Sequence, residues 1–261
     1  MDKIKVCYMK HLYNWGDCIS PFIISNLTGK KTKHINGSDM SDSIRYATAG
    51  SIVSWCKNPN TIIWGSGLIS NQREVKTKFK EICAVRGKLT RECLIKKGYK
   101  VPEIYGDPAL LVPRWYNNDV KKRYRIGIIP HYIDVDNKWI DRYRNNDEIK
   151  IIDITHKSLD EVYSCRFIDD VLSCDKIISS SLHGIICANA YGIDALWVEF
   201  SDKVIGDGFK FLDYYSSIGS NISNPIRIDD ETNIECLIKN IPNYDLNINL
   251  NNLYDSHPFK R

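Results

Sequence analysis

The sequence has no long apolar run and no strong excess of charge of one sign. A membrane-spanning helix needs about eighteen consecutive apolar residues, and no stretch of the 261 residues reaches that length. Residues 1–6 alternate charged and apolar side chains, which is not typical of a secretory signal peptide. A formal charge of +4, from 36 basic and 32 acidic side chains, does not favour a protein that binds nucleic acid or a membrane surface.

Paired cysteines and the common catalytic motifs are also missing. The nine cysteines show no C-x-x-C spacing and lie largely in apolar runs, which is typical of buried thiols in a reducing compartment. There is no Walker P-loop, no G-x-S-x-G elbow and no H-E-x-x-H motif. His11, His131 and His156 have no spacing that suggests a metal. We therefore expect a cytoplasmic protein that uses neither a metal nor a bound cofactor.

The main positive signal is the alternation of short apolar runs with amphipathic stretches, which is typical of βα units around a parallel sheet. The pattern predicts strands at residues 4–9, 61–64, 82–85, 124–130, 149–154, 177–179 and 195–200. It predicts helices at residues 20–28, 88–97, 183–191, 208–218 and 229–241.

Residues 114–123 form a polar, charged connector in the middle of this pattern. The chain therefore predicts an α/β fold of two Rossmann-like lobes, residues 1–118 and 119–242. Residues 243–261 form an Asn-rich tail, which is either a packed edge or a frayed end. The sequence contains no internal repeat.

Ligands of open parallel sheets bind at the loops that follow the carboxyl ends of strands. In this sequence the rule selects residues 14–17, 65–67, 86–87, 179–184 and 205–208. Three of these loops belong to the first lobe and two to the second, so a cleft between the lobes would bring them face to face.

The serine-rich loop before the predicted helix at residue 183 is the most informative of the five. Free backbone N–H groups, the helix dipole and the hydroxyls of Ser180 and Ser181 would suit an anion. His183 could add a positive donor or a transferable proton. The alternative is that one of the serines caps the helix and His183 is an interior histidine, and the spacing leaves both open.

Of five other positions, all but Asp107 allow two interpretations. Arg86 could grip a carboxylate or phosphate, or form a surface ion pair. Asp17 could act as a base or close an Asx turn, and Asp107 before a proline is typical of a turn. Trp15 could stack on a sugar ring or pack in the core. The glycines of Gly65-Ser66-Gly67 would allow a ligand to approach the backbone, although a tight turn is the more common use.

Taken in order, these motifs resemble the polysaccharide pyruvyl transferase family over residues 4–219. The matching pieces are Asn14-Trp15-Gly16-Asp17, Ile62–Gly67, Val85-Arg86-Gly87-x-x-Thr90, Gly106–Leu111, Ser179–Gly184 with Ala188 and Gly192, and Lys210-Phe211-x-Asp213-Tyr214. The sequence departs from the family at Gly65-Ser66-Gly67, where relatives often carry a run of glycines.

The resemblance implies a fold similar to GT-B glycosyltransferases, with phosphoenolpyruvate as donor and a glycan or lipid-linked oligosaccharide as acceptor. The product would be a pyruvate ketal on two hydroxyls of one sugar, with phosphate released, in surface polysaccharide biosynthesis. A lipid-linked acceptor would bring only peripheral contact with a membrane. By likeness, Arg86 and the Leu182-His183 pair fall where relatives hold the donor.

Residue chemistry assigns roles within this hypothesis. His183 would be a donor ligand and the acid, Arg86 the anion clamp and Asp17 the base. The remaining predicted substrate contacts are Ser180, Ser181, Leu182, Gly65, Ser66, Gly67, Asn14, Trp15 and Lys210.

Two other functions remain open. A glycosyltransferase with the same lobes could use a nucleotide sugar, with Glu199 or Asp202 binding the ribose. A glycan-binding protein of the same fold could have lost turnover.

Overall fold

The structure is a computed structural model that describes residues 3–10, 14–155, 161–243 and 246–259. Within these ranges the strands form two five-stranded sheets, one in each half of the chain, and all strand pairs are parallel. The predicted α/β class with two Rossmann-like units is confirmed. His11 and His156 lie outside the described residues.

The first lobe is built around the sheet order β2-β1-β3-β4-β5. Its elements are β1 (Ile4–Cys7), α1 (Trp15–Cys18), α2 (Ser20–Thr28), β2 (Thr32–Ile35), β3 (Arg45–Ala47), β4 (Thr61–Trp64), β5 (Glu81–Ala84) and α3 (Lys88–Ile95). Short 3-10 helices lie at Val53–Trp55 and Pro108–Arg114.

The second lobe follows residues 115–123, which carry no helix or strand. Its elements are β6 (Tyr124–Ile129), α4 (Lys138–Asp141), β7 (Ile149–Ile151), α5 (Glu161–Leu172), β8 (Cys174–Ser179), α6 (Leu182–Ala190), β9 (Ala195–Glu199), α7 (Phe209–Ser217), β10 (Ile226–Arg227) and α8 (Ile234–Lys239). Their sheet order is β10-β9-β8-β6-β7. Among the described residues, no helix combines the length and apolarity needed to cross a membrane.

The two sheets have the same topology. When the strands of each lobe are numbered from its own first strand, both orders become 2-1-3-4-5, the flavodoxin-like form of the doubly wound fold. In each sheet the order in which strands are added therefore reverses between the first and third strands. These strands are β1 and β3 in the first lobe and β6 and β8 in the second. The repeat is structural, although the sequence shows none.

The Asn-rich tail packs against the first lobe. Helix α9 (Leu250–Asp255) buries Leu253 completely, and the indole N–H of Trp64 donates to the Leu253 carbonyl at 3.0 Å. The Arg114 guanidinium lies 4.4 Å from the centre of the Tyr254 ring. Of the two forms considered for the tail, the structure has the packed edge.

Candidate active site

A cavity of about 260 Å³ lies between the two lobes, at the carboxyl ends of both sheets. The segments after β1, β3 and β4 form one wall, and the segments after β6, β8 and β9 form the other. The strand orders reverse between β1 and β3 and between β6 and β8, so the cavity includes the usual ligand position of both doubly wound sheets. Its described lining includes Asn14, Asp17, Ser51, Trp55, Arg73, His131, Ser181, Leu182, His183, Ile205 and Lys210.

Asp17 and Lys210 bring opposite charges to this cavity. Asp17 lies in α1, whose N-terminus is capped by the Asn14 side chain accepting from the Gly16 N–H at 3.1 Å. Burial raises the pKa of Asp17, against the opposing charges of His183 and Lys210. Burial also lowers the pKa of Lys210 to about 8, although the Asp17 carboxylate works the other way. Each group is therefore closer to exchanging a proton near neutral pH than an exposed side chain would be.

His183 lies in the first turn of α6 and is 7% exposed. Its Nε2 is 3.5 Å from Oδ2 of Asp107 in the first lobe. The Asp107 carboxylate also accepts backbone N–H groups from Ala109 at 3.0 Å and Gly50 at 3.3 Å. A Cβ on Gly16 would lie 1.8 Å from Cγ of His183, so only glycine lets the imidazole pack here. The imidazole of the second lobe is thus held against groups of the first lobe.

The first turn of α6 opens into the cavity at Ser181, Leu182 and His183. Ser181 occupies the N-cap position, but no side chain caps the helix. The positive end of the helix dipole and the first backbone N–H groups therefore remain available to an anion.

His131 is a functional candidate that the sequence analysis did not select. It lies two positions after the end of β6, and its backbone N–H donates to Oγ of Ser180 at 2.8 Å. Burial, with a smaller effect of the Lys210 charge, lowers the pKa of His131 to about 3. The imidazole is therefore neutral at physiological pH and can offer one donor and one acceptor. The strand-end rule, applied to Pro130-His131, would have identified this position.

Arg86 is not among the described residues that line the cavity. Its guanidinium is fully buried, with Nε donating to Asp213 at 3.0 Å and Nη2 to the Leu68 carbonyl at 2.6 Å. Asp213 also accepts the backbone N–H and the hydroxyl of Thr90, both at 2.7 Å. Arg86 is thus neither an open anion clamp nor a surface ion pair. It reaches the cavity only indirectly, since Nη1 donates at 2.5 Å to Oγ of Ser51, a lining residue.

The Gly65-Ser66-Gly67 loop packs against the guanidinium of Arg86. Like Arg86, it is not among the described residues that line the cavity. Gly65 has φ +80°, and the Ser66 hydroxyl donates to the Gly50 carbonyl at 2.8 Å. A Cβ on Gly67 would lie 2.4 Å from Cζ of Arg86. The glycines thus allow a tight turn and a close approach of the guanidinium.

Trp15 is part of the contact between the lobes. It is 1% exposed, its indole N–H donates to the Ser164 carbonyl at 3.1 Å, and its ring centre lies 4.9 Å from that of Phe167. Two exposed apolar side chains line the cavity instead, Trp55 from the first lobe at 49% exposure and Ile205 from the second at 58%. No local pattern in the sequence distinguished Trp55 from the other tryptophans.

The donor set of this cavity suits a small anion. Lys210, Arg73 and the open turn of α6 supply positive charge or N–H groups. Among the described residues, no three His, Cys, Asp or Glu side chains are grouped so that they could hold a metal ion.

Comparison with known proteins identifies the family to which the chain belongs. Residues 34–202 match the model of the family described as polysaccharide pyruvyl transferase. An uncharacterised protein of Acanthamoeba polyphaga mimivirus is 34% identical over 222 residues, which cover 83% of this chain and 75% of that protein. The crystal structure of a functionally uncharacterised Klebsiella pneumoniae protein has the same fold, with a TM-score of 0.53, 14% identity, and coverage of 87% of this chain and 93% of that one. The chain therefore belongs to the polysaccharide pyruvyl transferase family.

Proposed function

We propose that the protein transfers the pyruvyl group of phosphoenolpyruvate to two hydroxyls of one sugar in a glycan, forming a pyruvate ketal and releasing phosphate. One observation carries this proposal: Asp17, His183 and Lys210, from the first turns of three separate helices, meet in a single cavity between the lobes. In a member of this family, such a cavity is the natural place for the transfer.

The donor would lie between Lys210 and the first turn of α6. Phosphoenolpyruvate carries a carboxylate and a phosphate, and both need positive partners. Lys210 supplies a charge, Arg73 is a second cation on the lining, and the N–H groups at Leu182 and His183 face the same space. In this arrangement Lys210, and not Arg86 as expected from the sequence, binds the anionic donor. Arg86 becomes a positioning residue that holds Ser51 and joins the lobes.

The reaction needs one proton delivered to carbon and two removed from hydroxyls. His183 delivers a proton to the methylene carbon, which leaves an oxocarbenium-like centre at the carbon bearing the phosphate. One sugar hydroxyl attacks this centre and loses its proton, and phosphate then leaves. The neighbouring hydroxyl then attacks the same carbon and closes the ketal. Of the two hydroxyl protons, one restores the acid form of His183 and the other leaves with the phosphate. The raised pKa of Asp17 makes its carboxylate a better base for these hydroxyls than an ordinary aspartate.

The acceptor would enter past Trp55 and Ile205. Both side chains are exposed and belong to opposite lobes, so a sugar ring could stack between them with its hydroxyls turned inward. We infer a GT-B-like arrangement of the lobes and a glycan or lipid-linked acceptor. A cytoplasmic location stays a prediction.

The proposal is tested by incubating the protein with phosphoenolpyruvate and a panel of glycans. We expect phosphate release that depends on the acceptor, and a product heavier by pyruvic acid less one water. Asp17→Asn and His183→Ala should abolish the product while the protein stays folded. Asp147→Asn, at an exposed aspartate outside the described lining, is the matched control and should keep full activity.

A binding experiment separates this function from a glycosyltransferase. Phosphoenolpyruvate should raise the melting temperature of the protein, whereas UDP-, GDP- and CMP-sugars should not. Stabilisation by a nucleotide sugar, without any by phosphoenolpyruvate, would contradict the proposed donor.

A further inference from the structure

Asp107 is a fully buried carboxylate of the first lobe, directly before the 3-10 helix at Pro108–Arg114. One oxygen, Oδ1, accepts the Ala109 N–H at 3.0 Å, and the other, Oδ2, accepts the Gly50 N–H at 3.3 Å. Within the described part of the chain, the imidazole of His183 is the one basic side chain that contacts this carboxylate. A buried carboxylate needs a positive or hydrogen-bonding partner, so Asp107 and His183 are coupled across the contact between the lobes.

The two ring nitrogens of His183 have different surroundings. Nε2 is 3.5 Å from Oδ2 of Asp107, and it is fully enclosed without a hydrogen-bond partner among the described residues. Nδ1 lies toward Gly16 of α1, where an added Cβ would come within 2.0 Å of it. No described group hydrogen-bonds to Nδ1, and it is not one of the enclosed atoms without a partner, so it keeps accessible surface. Because His183 lines the cavity and Asp107 is not part of the described lining, Nδ1 is the nitrogen that a ligand can reach.

The carboxylate of Asp107 determines which nitrogen carries the proton of the neutral ring. A neutral imidazole has one N–H and one lone pair, and an ionised carboxylate only accepts. Nε2 therefore carries the proton, and Nδ1 carries the lone pair. The distance of 3.5 Å from Nε2 to Oδ2 is longer than an ordinary hydrogen bond, but hydrogen bonds of catalytic groups often tighten when the ligand binds. Oδ2 has room for this donor, because its bond from the Gly50 N–H is a long one.

We propose that Asp107 is a positioning residue for His183, which holds a proton on Nε2 so that Nδ1 is the nitrogen that exchanges a proton with the substrate. The exchange itself rests on the proposed function. In the charged ring both nitrogens carry protons, and Nδ1 gives its proton to the methylene carbon of phosphoenolpyruvate. The π electrons of the substrate form the new C–H bond, and the electrons of the N–H bond stay on Nδ1 as a lone pair. The ring that remains is the tautomer that Asp107 favours, and a hydroxyl proton of the sugar later returns to Nδ1.

Asp107→Asn tests the proposal because it replaces the carboxylate by an amide of the same size. The amide oxygen should keep the shorter bond from the Ala109 N–H, which turns the NH₂ group toward His183. That group donates, so Nε2 must accept and the proton of the neutral ring must move to Nδ1. Nitrogen NMR of the labelled imidazole, at a pH where the ring is neutral, distinguishes the protonated from the unprotonated nitrogen. The His183→Gln spectrum identifies the signals.

The kinetic effect should fall on turnover rather than on donor binding. We expect Asp107→Asn to lower kcat about a hundredfold, since the ring left after proton transfer would place its N–H against the amide donor. The KM for phosphoenolpyruvate should stay within about threefold of wild type, because Asp107 is not part of the described lining. A residue that only stabilised the turn would change neither the tautomer nor the ratio of the two constants.

Two further variants make the test specific. Asp229→Asn is the matched control, because Asp229 is exposed and outside the described lining but also accepts an N–H two positions later, from Glu231 at 3.0 Å. It should leave the tautomer and kcat unchanged. Asp107→Ser keeps a short side chain that can bond to the Ala109 N–H but has no group that reaches His183, so both tautomers should appear. This variant decides the question if the amide variant does not fold.

The outcomes separate this proposal from the proposed function. If the wild type modifies no glycan and the tautomer still changes in the Asp107 variants, the proposed function fails and the pairing of Asp107 with His183 stands. If the wild type is active and the tautomer is the same in all variants, the pairing is refuted and the function stands. The positioning role is also refuted if Nδ1 carries the proton in the wild type, or if kcat of Asp107→Asn stays within about threefold of wild type.

Discussion

Arg86 of the first lobe and Asp213 of the second form an ion pair with no exposed surface, in which Nη2 and Oδ2 are 2.9 Å apart. Thr90, Leu68 and Ser51 make further hydrogen bonds to the pair. A buried charge that loses its partner is strongly destabilising, so this contact between the lobes depends on both residues.

Removing the guanidinium alone should strongly destabilise the protein. Arg86→Met leaves the Asp213 carboxylate buried without its counter-charge, and we expect a loss of about 3–5 kcal/mol in the free energy of unfolding. Urea denaturation measures this change. Arg125→Met, which breaks the exposed pair with Glu235 at 2.7 Å, should cost less than about 1 kcal/mol. Equal losses in the two variants would argue against a buried link between the lobes.

Donor binding should weaken as the pH rises past the pKa of Lys210. Burial lowers that pKa to about 8, so the ammonium is present below this pH and lost above it. We expect the affinity for phosphoenolpyruvate to fall at least about tenfold between about pH 7 and about pH 9.5, as measured by calorimetry.

Two lysine variants provide the controls for this prediction. Lys210→Arg should keep its affinity at high pH because arginine stays charged. Lys203→Ala changes an exposed lysine outside the described lining and should leave the wild-type profile unchanged. A profile that is also unchanged in Lys210→Ala would show that another group binds the anion.

The contact between Gly16 and His183 should not tolerate a methyl group. Gly16→Ala would place Cβ 1.8 Å from the imidazole Cγ, which displaces the ring, and we expect turnover to fall about a hundredfold. Gly98→Ala is the control, because Gly98 has φ +84° but no atom within 4 Å of the added carbon. It should cost about 1 kcal/mol of stability and leave turnover intact. Similar activity in both variants would contradict the proposal that turnover depends on the position of the His183 ring.

Two tryptophans should separate stability from acceptor binding. Trp15→Ala removes a buried ring between the lobes and should cost about 3–5 kcal/mol in urea denaturation. Trp55→Ala removes a half-exposed ring and should change stability by less than about 1 kcal/mol. It should raise the acceptor KM about three- to tenfold with little change in kcat. An unchanged KM would show that the acceptor enters elsewhere.

The fold could be predicted where an apolar run ends at a glycine. Strand β4 has the predicted bounds because all four of its residues are buried and a glycine follows. Helix α2 ends at Gly29, as predicted, since φ +67° there suits glycine. Strand β2 was missed because it is a polar edge strand, and β10 because it has two residues. In both cases pairing with a neighbouring strand, rather than the local pattern, decides the structure.

The same limit applies to the site. The loops at residues 14–17 and 179–184, with Asp17 and His183, were predicted from strand ends, whereas Lys210 was selected by the family resemblance; all three side chains line one cavity. The environment of Arg86 could not be predicted, because its partner Asp213 lies 127 positions away. Val85-Arg86-Gly87 is the same sequence whether the guanidinium faces water or a buried carboxylate. Whether Arg86 is exposed or buried can be decided only once the packing of the two lobes is known.

Helix α9 has a consequence for how the protein is made. The indole of Trp64 bonds to Leu253, 189 positions later, so its acceptor is translated only after the whole second sheet. During synthesis the first lobe therefore leaves the ribosome before α9 exists. The surface around Trp64 that α9 covers stays exposed until that helix has been translated and has packed. The first lobe is thus translated first, but its packing is completed only after the second lobe has been translated.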